Sequence, residues 1–288
     1  MKATAKLILG TVQLGLNYGI NNIAGKPDEE EAFRILDLAH NEGIYLLDTA
    51  EAYGNAIDII GKYHRQSSSK FDIISKFKFT EGINLQENVK ASLEKLGVKN
   101  LFAYLLHDAS KLLADGIEKQ LAELKQKQLI KYSGVSVYTN EEFEAAIETD
   151  YMDIIQIPYN LLDNNFLRGS HIRKAKEKNK IIHTRSVFLQ GLFFMDKERV
   201  PEKLQPLQKY IDQVNAICDK NNISKESLAL NYIMENEMID GVLIGTDSAE
   251  QLSKNIAAIG KHIPVSVGAL VNNIQVNEVS LLNPVNWN

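Results

Sequence analysis

The sequence predicts an α/β fold, a single (β/α)8 TIM barrel, from three observations. Short apolar runs that end in polar residues or glycine recur eight times along the 288 residues. Most of these runs are continuously apolar, as expected of parallel strands that are covered on both faces. Segments of helical period separate nearly all of them, so strand and helix alternate, and the chain length is close to the roughly 250 residues usual for this barrel.

Each predicted strand is a short run of aliphatic and aromatic residues. The runs cover residues 6–10, 44–48, 71–76, 101–107, 132–136, 154–158, 181–185 and 241–245. In a parallel barrel the carboxyl ends of all strands face one mouth, and the loops that follow them form the active site. Polar residues at these ends are therefore the first candidates for chemistry.

The predicted helices carry their own start and stop signals. The first opens at Pro27-Asp28, with acids in its first turn and an apolar face, and Gly43 ends it. Further helical periods cover residues 85–96, 116–128, 141–148, 169–178, 204–221, 224–236 and 248–259.

The pattern indicates one domain, residues 1–288, with a short C-terminal tail from about residue 261. No stretch rich in proline and glycine is long enough to separate two domains. The longest irregular segments, 11–25 and 188–201, both follow strand ends. Because such loops surround the mouth of a barrel, these two are candidates for a lid over the substrate. The tail, with Trp287, either packs on the barrel or covers the pocket.

Composition and charge exclude several classes of protein. Hydrophobic residues make up 44% of the chain and charged residues 24%, and no apolar run approaches the ~20 residues that cross a bilayer. Lys and Arg number 32 against 37 Asp and Glu, a net charge of -5, so neither nucleic acid nor a membrane surface is an expected partner. The first predicted strand follows Met1 too closely for a secretory signal, and we expect a cytoplasmic protein with a small-molecule substrate.

Other reactive side chains have structural interpretations. Cys218, the single cysteine, lies on the apolar face of a predicted helix, which indicates a buried, reduced thiol. His183 lies inside a strand and is expected to be an interior imidazole. No spacing of His, Cys and acidic residues indicates a metal site. The residues after Ser136 lack the glycine that a serine hydrolase nucleophile requires.

Four polar residues are candidates for a hydride-transfer site. Asp48, Lys76 and His107 stand at the ends of three successive predicted strands, and Tyr53 lies five residues beyond Asp48. A free phenol has a pKa of about 10, so it donates a proton at neutral pH only when a nearby cation stabilises the phenolate. Lys76 supplies such a cation, Asp48 keeps it charged, and His107 orients a carbonyl or shares the proton. Taken singly, each of these residues also has a structural interpretation.

These residues lie in stretches that resemble the aldo-keto reductase family, and the resemblance runs from about Lys6 to Ile259. The matching stretches are Leu47-Asp48-Thr49-Ala50-Glu51-Ala52-Tyr53-Gly54, Ile74-Ser75-Lys76, Leu105-Leu106-His107, Gly134-Val135-Ser136, Ile155-Gln156-Ile157, and Val242-Leu243-Ile244-Gly245-Thr246 with Gln251-Leu252 and Asn255. The resemblance implies that Tyr53 is the general acid, that Lys76 and Asp48 tune it, and that His107 positions the carbonyl. The activity it implies is the NAD(P)H-dependent interconversion of a carbonyl and an alcohol.

The resemblance also implies a nicotinamide cofactor, NADP(H) or NAD(H), bound without a Gly-x-Gly-x-x-Gly turn, and no such turn follows a strand here. A capping pattern at Ser248 opens a helix. The free amides at the start of this helix, with the hydroxyls of Thr246 and Ser248, suit the adenosine end of the dinucleotide. The alternative is that Ser248 only caps the helix. By resemblance, Ser136 and Gln156 contact the carboxamide, and Ser186 and Leu192 line the pyrophosphate region. Gln251 and Asn255 contact the adenosine. The remaining cofactor positions are Gly10, Thr11, Asp48, Arg185, Ile244, Gly245, Thr246 and Asp247.

The sequence departs from the family pattern in three places. Val137 replaces the asparagine usual after Ser136, which removes one expected carboxamide contact. Arg185 stands where many members have an aromatic residue against the nicotinamide; arginine also stacks, but its charge suits an anionic substrate or a structural acid. Asp247 and Glu250 stand where other members place Arg or Lys against the 2′-phosphate of NADP, and an acid there favours the 2′-hydroxyl of NAD. The sequence fits either NADPH or NADH as the cofactor.

The substrate is less defined than the reaction. The loop 159–165 is rich in asparagine, which suits a sugar-like substrate or simply satisfies loop backbone groups. Residues 10–20 with 185–192 resemble a bacterial branch of the family linked with surface-sugar metabolism. Two other functions fit the same residues: a Schiff-base lyase or aldolase with Lys76 as the nucleophile, and a non-catalytic, cofactor-sensing subunit.

Overall fold

The computed structural model describes residues 3–287, in which eight parallel strands form a closed barrel. Each strand pairs with the next along the chain, and the last pairs with the first. The strands are β1 (Leu7–Gly10), β2 (Leu46–Asp48), β3 (Asp72–Phe77), β4 (Leu101–Leu106), β5 (Ile130–Ser136), β6 (Ile154–Pro158), β7 (Ile181–Arg185) and β8 (Gly241–Gly245). The (β/α)8 fold predicted from the apolar runs is confirmed.

Helices follow the strands and form the outer layer. They are α1 (Val12–Gly15), α2 (Glu29–Asn41), α3 (Ala56–Gln66), α4 (Leu85–Leu96), α5 (Ile117–Gln126), α6 (Asn140–Glu148), α7 (Asn165–Glu177), α8 (Gln208–Asn221), α9 (Lys225–Met234), α10 (Ala249–Ala258) and α11 (Val265–Asn272). Side-chain oxygens of Asp28, Thr139 and Ser248 accept amide hydrogens at the starts of α2, α6 and α10, which satisfies donors that a helix leaves open. Within residues 3–287, no helix combines the length and apolar character needed to span a bilayer.

The register of the barrel explains why residues far apart in sequence meet at its mouth. Asp48 ends β2 opposite Gly10 of β1 and Ile74 of β3. Ser136 of β5 is paired with Gln156 of β6. Side chains that end neighbouring parallel strands therefore lie side by side, at the face where the catalytic loops of this fold begin.

The apolar core has two parts. Inside the barrel, a small cluster of buried side chains fills the space between the strands: Ile8, Ile74, Ala103, Leu105, Ile154 and Leu243. A much larger cluster lies between the strands and the outer helices and includes the apolar faces of α2, α4 and α9. Close packing on both sides of each strand gives the polar residues at the mouth a rigid support.

Some element boundaries differ from the predicted ones, each for a physical reason. The predicted helix 204–221 is a 3-10 helix, Glu202–Leu207, followed by α8, because Pro206 has no N–H for an α-helical hydrogen bond. The predicted helix 169–178 starts earlier, as α7, because the Asn164 side chain caps it. The predicted set lacks α3, whose helical pattern is weakened by Gly61, and it lacks α11.

The segment after residue 261 is folded against the barrel. Helix α11 packs on α8. Asn164 Nδ2 donates to the carbonyls of Val271 and Ile274 at 2.8 and 3.0 Å, which ties this segment to the loop after β6. Trp287 Nε1 donates to Leu281 O at 2.7 Å, and Trp287 is not among the residues that line the cavity described next.

Candidate active site

A cavity of about 360 Å³ opens at the carboxyl ends of the strands. The predicted site residues that line it are Gly10, Thr11, Asp48, Tyr53, Lys76, His107, Ser136, Gln156, Arg185, Ser186, Ile244, Gly245, Asp247, Gln251 and Asn255. The inner end is the part lined by the four candidate catalytic residues Asp48, Tyr53, Lys76 and His107. The outer end is the part lined by Asp247, Gln251, Lys254 and Asn255, at the start of α10 and along it. The barrel topology brings these positions together because they lie near the carboxyl ends of the strands or in the segments that follow them.

A buried ion pair lies at the inner end. Lys76 Nζ contacts Asp48 Oδ1 and donates to Thr49 O and to Tyr53 Oη, at 3.3 Å each. The side chains of Lys76 and Asp48 are both 2% exposed. Asp48 Oδ2 also accepts from Gln156 Nε2 at 2.9 Å, so both carboxylate oxygens have partners. These bonds hold the Lys76 ammonium in place against the Tyr53 hydroxyl.

The protonation state of Lys76 follows from two opposing effects. Burial lowers the pKa of its ammonium, but the Asp48 carboxylate and the hydrogen bonds to Asp48 and Tyr53 raise it by more, so the net shift is upward. Lys76 is therefore charged at neutral pH. A cation 3.3 Å from the Tyr53 oxygen and 5.0 Å from the ring centre stabilises negative charge on that oxygen.

His107 faces the same space. Its ring lies edge-on to that of Tyr53, with 6.0 Å between the ring centroids. Burial and the nearby cations Lys76 and Lys78 lower the pKa of His107 to about 4, so the imidazole is neutral at pH 7. A neutral imidazole keeps one N–H donor and one acceptor. Of the two roles predicted for His107, orienting a carbonyl suits this state better than sharing the proton.

Ser136 and Gln156 present complementary groups side by side. Their backbones are paired across β5 and β6, and both side chains are buried at the cavity wall. Gln156 Oε1 is buried and accepts no hydrogen bond within residues 3–287. The Ser136 hydroxyl accepts from Arg185 and retains its own O–H to donate. A primary carboxamide, with one carbonyl oxygen and one NH2, satisfies both groups, so these residues fit a nicotinamide.

Arg185 lies beside this pair. Its Nε donates to Ser136 Oγ at 3.2 Å, its Nη2 to Val137 O at 3.0 Å and its Nη1 to Ser186 Oγ at 3.4 Å. The guanidinium carbon lies 4.0 Å from the centre of the Tyr138 ring. No carboxylate in residues 3–287 forms an ion pair with Arg185, so the structural acid considered as its partner is absent.

Three amides at the start of α10 donate to protein acceptors. The amide of Asp247 donates to Gln251 Oε1 at 3.1 Å, and that of Gln251 donates to Ser248 Oγ at 3.2 Å. The amide of Ala249 donates to Glu31 Oε1 at 2.6 Å. The prediction of free N–H groups is therefore wrong for Asp247, Ala249 and Gln251, because protein acceptors already bind these three amides.

Acidic side chains surround this outer end. Glu31 reaches α10 from α2, also pairs with Arg34 at 2.6 Å, and has a side chain that is 20% exposed. Asp247 lines the cavity. Lys254, the nearest following cation in the sequence, pairs with Glu250 at 2.6 Å. The local charge therefore disfavours an additional phosphate here.

The loops after β1 and β7 meet at the cavity. Gln190 Nε2 donates to Tyr18 Oη at 3.0 Å. Gly191 has φ 88°, and a Cβ at this position would come within 2.8 Å of Asn21 Cβ, so glycine is required for the approach. Ser186 and Gln190 also have left-handed backbones, with φ of 61° and 53°. Such strain is typical of loops that carry function. The two segments predicted as candidate lids thus contact each other.

Two predicted cofactor contacts lie away from the cavity. Leu192 is 0% exposed, belongs to the hydrophobic core and does not line the cavity. An apolar side chain packs inward when the loop backbone allows it, so its assignment to the pyrophosphate region lacks support. Thr246 is 1% exposed and also does not line the cavity. Its hydroxyl donates to Ser248 O at 2.8 Å within the same turn.

The asparagine-rich loop 159–165 is structural. Asn160 and Asn164 are both 0% exposed. Asn160 Oδ1 accepts from the amides of Leu162 and Asp163 at 2.9 and 3.0 Å. These side chains satisfy backbone groups, as one of the two interpretations of this loop predicted, and they offer nothing to a substrate.

Tyr138 and Glu226 line the cavity, and neither carried a predicted role. Tyr138 had a usable signal, since it stands two residues beyond Ser136 at a strand end. Glu31 had none, because it contacts Ala249 across 218 residues of sequence and no local pattern encodes that contact.

Known proteins share this fold and sequence pattern. The Aldo/keto reductase family model matches residues 6–274. An aldo-keto reductase of Strobilurus tenacellus is 24% identical over 280 residues, covering 87% of this chain and 82% of that protein. The NADH-specific methylglyoxal reductase of Escherichia coli (strain K12) is 23% identical over 305 residues, covering 88% and 93%. The holo form of an aldo-keto reductase from Bacillus halodurans superimposes with a TM-score of 0.74 and 21% identity, covering 94% of this chain and 92% of that one. The chain therefore belongs to the aldo/keto reductase family and is an NAD(P)H-dependent oxidoreductase of carbonyl compounds.

Proposed function

We propose that the protein interconverts a carbonyl and an alcohol with Tyr53 as general acid in reduction and general base in oxidation. The observation that carries this proposal is the distance of 3.3 Å between the Tyr53 hydroxyl and the Lys76 ammonium, at the wall of the cavity. Asp48 keeps Lys76 charged and fixed. A fixed ammonium at this distance stabilises the phenolate that forms when Tyr53 gives up its proton.

A nicotinamide cofactor supplies hydride in reduction and accepts it in oxidation. Ser136 and Gln156 would hold its carboxamide, because they present a hydroxyl and an unpaired carbonyl oxygen side by side. Ser186 would line the path to the outer end of the cavity, where Gln251 and Asn255 would contact the adenosine.

His107 would orient the substrate carbonyl. Burial, with the cations near it, lowers the pKa of this imidazole to about 4, so it donates one N–H hydrogen bond without carrying a charge of its own. Tyr53 then remains the proton donor at neutral pH. Two groups that converge on one oxygen in this way fix the carbonyl for attack at its carbon.

NADH is the cofactor we expect to bind more tightly. A 2′-phosphate would meet Asp247 at the cavity wall and would find the Ala249 amide already bonded to Glu31. A ribose 2′-hydroxyl can instead donate to a carboxylate. The relative named as an NADH-specific reductase supports the same preference.

A small hydroxylated carbonyl compound, such as a sugar derivative, is the proposed substrate. Tyr18, Asn21 and Gln190 line the cavity and carry hydroxyl and amide groups. Groups of this kind bind substrate hydroxyls by hydrogen bonds. These residues belong to the loops after β1 and β7, whereas the sequence had indicated the asparagine-rich loop after β6 for a sugar-like substrate.

A Schiff-base reaction at Lys76 is disfavoured. An amine must lose its proton before it attacks a carbonyl, and the Asp48 carboxylate outweighs burial and raises the Lys76 pKa. Borohydride trapping with carbonyl substrates, read by mass spectrometry, checks this point. We expect no mass increase at Lys76.

Replacing Tyr53 by phenylalanine tests the proposed reaction, since it removes the acid and little else. We expect Tyr53→Phe to lower kcat for carbonyl reduction by roughly 10²- to 10⁴-fold while NADH affinity stays near that of the wild type. Tyr45→Phe, at a tyrosine that is 55% exposed and outside the cavity, is the matched control. Undiminished turnover in Tyr53→Phe would contradict the proposal. Cofactor binding by the wild type without turnover of any carbonyl would favour the cofactor-sensing subunit instead.

A further inference from the structure

Arg185 forms no ion pair with a carboxylate within residues 3–287, and the buried carboxylate that interacts with it electrostatically, Asp163, is bonded through both oxygens to Arg168. The guanidinium hydrogen bonds of Arg185 go to two serine hydroxyls and one carbonyl, and its face lies on the Tyr138 ring. All of these partners are neutral. The other two cations at the cavity wall differ, since Lys76 pairs with Asp48 and Lys254 with Glu250.

The charge is also held in place. Hydrogen bonds from Nε, Nη1 and Nη2 reach three separate acceptors, and the Tyr138 ring supports the guanidinium plane. Three directed bonds leave a guanidinium little freedom to turn away, because its donors have a fixed planar geometry. Arg185 therefore presents its charge at one defined part of the wall.

That part of the wall adjoins the proposed carboxamide site. Arg185 Nε donates to Ser136 Oγ at 3.2 Å, and Ser136 is paired in register with Gln156, whose Oε1 has no partner. A carboxamide bound to both residues would lie one side chain away from the guanidinium. The ring that bears the carboxamide would be its near neighbour.

We infer that Arg185 makes the site distinguish the two redox states of the cofactor and favours the reduced one. This inference rests on the proposed function. A nicotinamide ring has a charge of plus one when oxidised and none when reduced, so the fixed cation of Arg185 opposes the oxidised state alone. Two like unit charges several ångströms apart in a partly buried site repel each other. The repulsion is large enough to change an equilibrium constant by more than about tenfold.

The consequence concerns the direction of the reaction on the protein. In alcohol oxidation the alcohol carbon gives a hydride, two electrons and one proton, to the ring, and the hydroxyl proton passes to the Tyr53 oxygen. The ring charge falls from plus one to zero. Arg185 therefore shifts the equilibrium between the bound reactants toward the ketone or aldehyde with reduced cofactor, relative to the same site without the charge.

The test compares affinities for NADH and NAD⁺ in variants at this position. NADH is titrated by its fluorescence and NAD⁺ by competition, and the ratio of the two Kd values is the readout. We expect Arg185→Gln to bring the two Kd values together, reducing the NADH advantage at least tenfold, and Arg185→Lys to preserve most of it. Arg173→Gln, at an exposed arginine on α7, should leave the ratio unchanged.

Each other result has a defined meaning. An unchanged ratio in Arg185→Gln overturns the inference. An equal loss of affinity for both nucleotides also overturns it, because Arg185 would then bind a part that the two share, such as the pyrophosphate. Failure of the wild-type protein to bind either nucleotide instead contradicts the proposed function itself. The phosphates cancel in the ratio, so their contacts do not affect the comparison.

Discussion

The inner and outer ends of the cavity handle charge in opposite ways. At the inner end Lys76, Asp48 and Tyr53 bond to one another, and the ion pair is nearly free of solvent. At the outer end Glu31 binds the amide of Ala249, and Asp247 lines the cavity without forming an ion pair within residues 3–287. We propose that the inner end stabilises a charge that appears during reaction. We propose that the outer end selects a bound group by charge.

The largest predicted effect tests whether the inner end works as one unit. Lys76→Met removes the cation next to Tyr53, and we expect kcat to fall about 10³-fold. The double variant Lys76→Met with Asp48→Asn should be scarcely slower than Lys76→Met alone, because the role of Asp48 in catalysis passes through Lys76. Steady-state kinetics on the wild type, the two single variants and the double variant measures this. Losses that add up would show that the two residues act independently.

The second prediction concerns stability at the inner end. Asp48→Asn leaves the buried Lys76 ammonium without its counter-ion, and we expect the free energy of unfolding to drop by about 3 kcal/mol. Glu144→Gln is the control, because its partner Lys174 and Glu144 itself are 40% and 42% exposed and such pairs contribute under about 1 kcal/mol. Urea denaturation compares them. Equal losses of unfolding free energy in the two variants would mean that breaking the buried Lys76–Asp48 pair destabilises the protein no more than breaking an exposed pair.

A third prediction uses His183, the register partner of Gln156. Burial lowers the pKa of this imidazole from 6.5 to about 4. The unfolded chain takes up a proton below pH 6.5 and the folded chain does not, so stability is complete above pH 6.5 and decreases as the pH falls toward 4. Between pH 7 and pH 5 we expect the wild type to lose roughly 2 kcal/mol more than His183→Gln.

Denaturation curves at the two pH values test this prediction. His262→Gln, at an imidazole whose side chain is 77% exposed, is the control and should follow the wild type. If His183→Gln also follows the wild type, His183 is not the acid-sensitive group.

The smallest predicted effect lies at the outer end. Asp247→Arg should raise NADPH affinity relative to NADH by about tenfold, because it replaces a repelling charge with an attracting one. Glu31→Gln should shift the ratio in the same direction by less, since it removes only one charge. Glu30→Gln, at a carboxylate that is 83% exposed, is the control. A ratio that stays constant in both variants would show that these acids do not face the ribose.

The two ends also differ in how far the sequence predicted them. Asp48, Lys76 and His107 lie at, just before and just after the ends of β2, β3 and β4, so the barrel topology places them together without knowledge of any distant contact. The outer end depends on Glu31, which no local pattern links to α10. Leu192 could not be placed from sequence because its direction depends on a strained loop, with φ of 47° at Leu189 and 53° at Gln190. Strand ends are encoded locally, whereas loop conformation and contacts between helices are decided by packing.

Titration of the purified protein with NADH and with NADPH tests the central claim most directly. We expect NADH to bind with a Kd in the micromolar range, measured by the change in nicotinamide fluorescence. We expect NADPH to bind more weakly. Preference for NADPH would contradict the charge argument at the outer end. Binding of neither would contradict the oxidoreductase site as a whole and would leave only the barrel in common with the family.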